Sequence, residues 1–276
     1  GWLVTSMMRR RVAYLGTPQM AVPPLRALVD AGHEVALVVT GADKRRGRGG
    51  DLSPSPVKAA ALELGLRVSH AVDDVLTAGV ELGVVVAYGR IIKPHVLAQV
   101  PMVNVHFSLL PRWRGAAPVE RALLAGDSET GTCLMAVEEG LDTGAVYDTV
   151  RLPIGPHATA DELRRELVAA GSEQLVRCLA GPLPAPVAQV GEAVYAHKIG
   201  PEELRLDWAR PAAELDRVIR VGGAWTMFRG RRVKVLEAAV EDGRLVPTRV
   251  QPEGRGPMDA TDFFRGVRPQ PGEWFT

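Results

Sequence analysis

Leu82-Gly83-Val84-Val85-Val86-Ala87, followed by a helical segment from Pro94 to Gln99 and then by Val103-Asn104-Val105-His106, is the stretch that decides the fold. Two continuous apolar runs rich in β-branched residues, joined by a helix that opens on proline, read as strands buried on both faces of a parallel sheet. The pattern repeats outward. Val12–Leu15 reads as a strand, Ala21–Ala31 as a helix closed by Gly32, Val35–Val39 as a strand, and Pro56–Leu64 as a helix closed by Gly65. Downstream, Val119–Leu124 reads as a helix, Thr132–Val137 and Val146–Leu152 as strands, and Thr159–Leu179 as a long helix with Asp161 and Glu162 suited to the positive end of its dipole. The expected class is α/β with a mostly parallel sheet.

After Gly181 the texture changes to Pro182-Leu183-Pro184-Ala185-Pro186, a stiff linker, and beyond Asp207-Trp208 come a short helix around Ala212–Ile219 and strand-like Arg232–Leu236 and Leu245–Val250. The expected organisation is an N-terminal extension over 1–9, an α/β domain over 10–181, a linker over 182–204 and a small β-rich domain over 205–276. Residues 1–203 carry 22 acidic and 20 basic side chains and residues 204–276 carry 10 and 13, a balance that leans the second part towards a polyanion. Cys133 and Cys178 are isolated, so neither a disulfide framework nor a thiolate metal site is expected. No apolar run reaches the roughly 18 uncharged residues of a membrane span, and a cytoplasmic protein with no membrane partner is expected.

Three features carry chemistry. On an extended strand residues i and i+2 share a face, so Asn104 and His106 point together at the carboxyl end of their strand, where open α/β sheets bind ligands. Asp142, in the turn Leu141-Asp142-Thr143-Gly144, adds a carboxylate. An amide that donates to an oxyanion, an imidazole that exchanges a proton near neutral pH and a carboxylate beside it suit acyl transfer to an amine, and no Ser, Cys or Lys stands in a nucleophile's setting. Thr40–Pro56 reads as a structureless run of about sixteen residues carrying Lys44, Arg45, Arg46 and Arg48, either a solvated surface loop or a positive finger for nucleic acid. Gly16-Thr17-Pro18 occupies the first strand-to-helix turn but lacks the dinucleotide-binding glycine pattern.

Asn-x-His followed by Ser108-Leu109-Leu110-Pro111, with Leu141-Asp142-Thr143-Gly144 downstream, resembles the enzymes that use 10-formyltetrahydrofolate. Pro111-Arg112-Trp113-Arg114-Gly115-Ala116-Ala117-Pro118 resembles, within them, the methionyl-tRNA formyltransferases. The similarity runs from about Arg10 onward and includes Gly16-Thr17-Pro18, Pro54-Ser55-Pro56-Val57-Lys58, Val86-Ala87-Tyr88-Gly89, Tyr195-Ala196-His197-Lys198-Ile199 and Asp207-Trp208. It implies a Rossmann-like formyltransferase domain, then a small, shortened OB-like β-barrel that helps hold tRNA. By the same resemblance Asn104, His106 and Asp142 are catalytic. Ser108, Leu109, Leu110, Pro111, Leu141 and the loop Tyr88, Gly89, Arg90, Ile91, Ile92 would contact the folate, and Lys44, Arg45, Arg46 and Arg48 would contact tRNA. Implied partners are 10-formyltetrahydrofolate as co-substrate, without a metal, and initiator methionyl-tRNA, with the protein a monomer.

Phe107 and Arg90 stand where many relatives have glycine and an aliphatic residue, which predicts an altered pocket mouth. The open edge of a shortened barrel would be covered by a helix over Met258–Phe264 or by another chain. Two other readings stay open: formyl transfer to a nucleotide sugar or other small amine, and an RNA- or folate-binding protein without turnover.

Overall fold

A computed structural model describes residues 7–45 and 49–276. The described residues form two compact units, one of residues 7–45, 49–115, 129–152 and 164–195, the other of residues 116–128, 153–163 and 196–276.

The first unit is built on a seven-stranded sheet. Its strands are β1 (Arg11–Leu15), β2 (Glu34–Val39), β5 (Val68–Ser69), β6 (Leu82–Val85), β7 (Met102–His106), β9 (Glu129–Ala136) and β10 (Val146–Pro153). They lie in the order β10-β9-β7-β6-β1-β2-β5. β5, β2, β1, β6 and β7 pair in parallel, and β9 runs antiparallel to β7. The chain moves from β1 to one side and returns to place β6 on the other, so the sheet is Rossmann-like with a switch point between β1 and β6.

The sequence sets this up directly. Every residue of β6 is buried and β1 is buried after Arg11, as the sheet requires when helices cover both faces. The connections include α1 (Val22–Asp30), α2 (Pro56–Glu63) and α3 (Pro94–Leu97), each with proline in its first turn, and α5 (Ala160–Leu179). On one face a core of Leu15, Val39, Val85, Val96 and Met102 is closed by residues 72–78 and α3. On the opposite face α5 brings Gly171 against Val105 and Phe107.

Phe107 is therefore a buried packing residue, and the expectation that it shapes the pocket mouth is corrected: one residue past His106, it continues the face that points at α5. The described part of the run Thr40–Pro56 also carries structure where none was expected. β3 (Lys44–Arg45) and β4 (Leu52–Ser53) pair antiparallel, Lys44 opposite Ser53 and Arg45 opposite Leu52, and Ser55 caps α2 through the Lys58 amide at 2.9 Å. Arg46 and Arg48 lie outside the described residues.

Between β7 and β9 lie the two-residue strand β8 (Arg114–Gly115) and α4 (Pro118–Leu124), and β11 (Tyr195–Ala196) follows α5. The second unit carries a four-stranded antiparallel sheet, β12 (Trp225–Phe228), β13 (Arg231–Glu241), β14 (Arg244–Pro252) and β15 (Met258–Asp259), in that order. α6 (Ala212–Val221) sets Leu215, Val218 and Ile219 into a core with Val235 and Leu245. α7 (Ala260–Val267) sets Phe263 into a second core with Phe228 and Phe275. Met258 and Asp259, expected to open the last helix, instead pair with Val250 and Arg249 and form the sheet's fourth strand.

Candidate active site

The carboxyl ends of β2, β1, β6 and β7 lie at the same end of the parallel sheet. The turn after β1 is pressed against the end of β6: a Cβ on Gly16 would stand 2.6 Å from the Val86 carbonyl oxygen, so glycine is required there by close backbone approach. The β3–β4 hairpin follows β2, and the loop 87–93 follows β6. Because Val85 lies opposite Asn104, that loop leaves the sheet beside the Asn104–His106 end of β7.

Asn104 is half-buried and His106 is buried. Nε2 of His106 lies 2.8 Å from the Trp113 carbonyl oxygen. A carbonyl only accepts, so this nitrogen carries a proton and donates it, which fixes the ring and leaves Nδ1 as the nitrogen on the Asp142 side. Nδ1 stands 3.7 Å from Oδ2 of Asp142, with only 8% of the imidazole and 12% of the carboxylate side chain exposed. The same carboxylate oxygen accepts the Gly115 amide at 2.8 Å. Histidine and aspartate, 36 residues apart in the chain, thus meet in a confined place, each anchored by a main-chain group of the 113–115 segment.

The remaining expected residues differ in how far they are buried. The Ser108 hydroxyl points inward, donating to the Arg112 carbonyl at 2.6 Å, and Ser108 is wholly buried. Leu109 is half-buried with its side chain close to Gly131 of β9, and Leu110 and Pro111 are half-buried. Leu141, beside Asp142, is 63% exposed, as is most of Ile91 at 85%. Gly89 and Arg90 are exposed, and Ile92 is buried under α3. In the same loop the Tyr88 hydroxyl is buried without a hydrogen-bond partner, and burial raises its pKa, so the phenol stays neutral and able to donate. Lys44 and Arg45 are exposed on β3.

Cys133 lies opposite His106 in the β7–β9 register, and burial pushes its thiol pKa up, which keeps it a neutral packing group. Among the described residues no cluster of three or more His, Cys, Asp or Glu side chains is placed to hold a metal ion, and no helix is long and apolar enough to cross a membrane.

Three contributors were outside the sequence reading. The Trp113 carbonyl and the Gly115 amide are backbone atoms, and Gln189, from the expected linker, donates through Nε2 to the carbonyls of Asp142 at 2.7 Å and Gly144 at 2.9 Å.

The chain belongs to the formyl transferase family: residues 10–179 match the formyl transferase model and residues 198–245 match the formyl transferase C-terminal domain. It is 44% identical over 307 aligned positions to methionyl-tRNA formyltransferase of Methylobacterium nodulans, covering 96% of this chain and 99% of that one. It is 42% identical over 311 aligned positions to methionyl-tRNA formyltransferase of Symbiobacterium thermophilum, covering 96% and 95%. Among solved structures, methionyl-tRNA formyltransferase from Clostridium thermocellum superimposes with a TM-score of 0.61 at 16% identity, over 90% of this chain and 100% of that one. HypX from Aquifex aeolicus in complex with tetrahydrofolic acid gives 0.63 at 16%, over 93% of this chain, which spans 47% of HypX. These two structures share the fold.

Proposed function

We propose that this chain transfers the formyl group of 10-formyltetrahydrofolate to the α-amine of methionine esterified to initiator tRNA, and so acts at the start of protein synthesis. The observation that carries the reading is the His106–Asp142 pair at the carboxyl end of the sheet, in a chain 40–44% identical over nearly its whole length to relatives that bear the name methionyl-tRNA formyltransferase.

The folate supplies an activated one-carbon acyl group, and the neutral amine attacks its carbonyl carbon directly. Asn104 donates its amide to the oxygen that gains negative charge, and the His106 ring, held through Nε2, presents Nδ1 to the reacting atoms. Asp142, beside Nδ1, supports positive charge on the ring as the proton of the attacking amine is taken up and passed to the leaving nitrogen. The unpartnered Tyr88 hydroxyl and the exposed loop 89–91 fit a ligand rich in hydrogen-bonding groups such as a pterin, with Leu141, Leu110 and Pro111 as apolar neighbours. Lys44 and Arg45, with Arg46 and Arg48 beyond the described residues, would engage tRNA phosphates. The reading includes no metal in the chemistry, and places the protein in the cytoplasm as a monomer.

Labelled formyl-folate supplied to the enzyme with charged initiator tRNA, and separately with amino-sugar nucleotides, tests this. Transfer to methionyl-tRNA is expected. Transfer only to the small amines, or none at all, would overturn it. Full turnover with a strong chelator present is expected, and loss restored by a divalent ion would remove the metal-free step.

A further inference from the structure

We infer that Gln189 is the positioning residue for Asp142, so that the proline-rich segment after α5 completes the active site. The inference rests on the proposed role of Asp142.

Val187 forms a two-way antiparallel bridge with Val146, each amide donating to the other's carbonyl at 2.8 Å. Continuing that register by two residues sets Gln189 opposite Gly144, at the end of the turn that carries Asp142. Its side-chain amide is then used on both sides. Nε2 donates one proton to the Asp142 carbonyl and the other to the Gly144 carbonyl, and Oε1 accepts from Nε of Arg114 at 3.1 Å and from its terminal nitrogen at 2.8 Å. The orientation is chemically unambiguous, because guanidinium only donates and carbonyls only accept. Arg114 is followed by Gly115, whose amide holds the Asp142 carboxylate. Arg114, Gln189 and Asp142 thereby form a closed circuit that fixes both the main chain and the side chain of Asp142.

Such fixing is needed here. Asp142 has φ of +53°, a left-handed conformation that aspartate tolerates better than most residues with a side chain but that is held here by contacts on both sides of the turn. Gly144 pins the far end of the turn, and Gln189 supplies a side-chain donor to the carbonyl of Asp142. A glutamate here would face two carbonyls with acceptors, and methionine, of similar length, would leave both carbonyls and the Arg114 guanidinium without their partner.

The test uses Q189M and Q189N, alone and with D142N, on the full chain. In single-turnover formyl transfer to methionyl-tRNA, Q189M should lose about 10- to 100-fold in kcat with KM for tRNA and folate within about twofold. Q189N, which keeps the amide one methylene short, should fall between it and the parent. The double variant Q189M/D142N should be no slower than D142N, because both changes remove the same function. The ring resonances of His106 should move in Q189M while those of the other five histidines stay. Losses that multiply in the double variant, a kcat unchanged in Q189M, or an unmoved His106 resonance would overturn the inference and leave Asp142's role standing. Should Q189M not fold, Q189N carries the same comparisons. Full activity in D142N would overturn the underlying reading and this inference with it.

Discussion

Replacing Asp142 by asparagine removes one charge and very little else. Asparagine tolerates the left-handed conformation at φ +53° as aspartate does, and its carboxamide oxygen still accepts the Gly115 amide. What is lost is the attraction between the carboxylate and positive charge on His106. At 3.7 Å and an effective dielectric of about 20, that attraction is about 4.5 kcal/mol before the cost of desolvating the two groups is subtracted. If imidazolium character develops on the way to the transition state, kcat should fall about 10²- to 10³-fold, with KM values little changed. Unfolding stability should stay within about 1 kcal/mol of the parent, since the backbone hydrogen bond survives. Single-turnover transfer at saturating tRNA and folate reads the first quantity, and urea unfolding of the same preparation reads the second. A stable D142N within threefold of the parent rate would refute the idea that charge at this position serves the reaction.

Gly144→Ala should be far more destructive, because the added methyl would lie 1.8 Å from the Ala136 carbonyl oxygen and must push the turn off β9; a large drop in the urea midpoint together with lost turnover is expected. His33 accepts the Arg10 amide on Nδ1 at 3.1 Å, and burial, helped by the Arg10 guanidinium, lowers its pKa from the ordinary value of 6.5. The unfolded chain then binds a proton that the folded chain refuses, so this contribution to stability is present above pH 6.5 and is lost as pH falls through the lowered folded value. His33→Asn, which keeps an acceptor and does not titrate, should flatten the midpoint-versus-pH curve over that interval, and an unflattened curve would place the dependence elsewhere. Lys44→Ala with Arg45→Ala should weaken tRNA binding and lower the slope of log K against log salt by about 1 to 2, while binding of folate is unmoved. Phe275, 3% exposed and stacked on Trp208 at 5.6 Å and Phe263 at 5.9 Å, should cost about 3–5 kcal/mol as alanine, read by thermal melting.

The parts of this molecule that were legible in the sequence are those whose signal is a side-chain pattern. The all-valine run at 84–86 needs burial on both faces, and that one requirement yields the parallel sheet, its helical cover and the direction in which Asn104 and His106 point. The residue types suit acyl transfer to an amine, and the resemblance carried by Asn104–Pro118 and Leu141–Gly144 narrows it to formyl transfer. β12 was missed because Trp225–Phe228 is four residues without alternation, and its identity depends on pairing with β13. The β3–β4 pair was missed for a similar reason: two residues on each side carry no period, and the arrangement exists only through contact across the loop.

The active site shows the same division more sharply. Asp142 and His106 were nameable from the sequence, but what holds each in place is a main-chain group, the Gly115 amide for the carboxylate and the Trp113 carbonyl for the ring. A peptide group is present at every residue and so leaves no compositional trace; only the path of the backbone decides which one arrives. At Trp113 that path passes through φ of +63°, and at Asp142 through +53°, two left-handed residues with side chains on either side of one hydrogen-bonded contact. Such conformations are disfavoured locally and persist because the surroundings over-determine them. The site is therefore specified by agreement among the 113–115 segment, the 141–144 turn and the segment around Gln189, and no one of them alone would hold a carboxylate 3.7 Å from the imidazole.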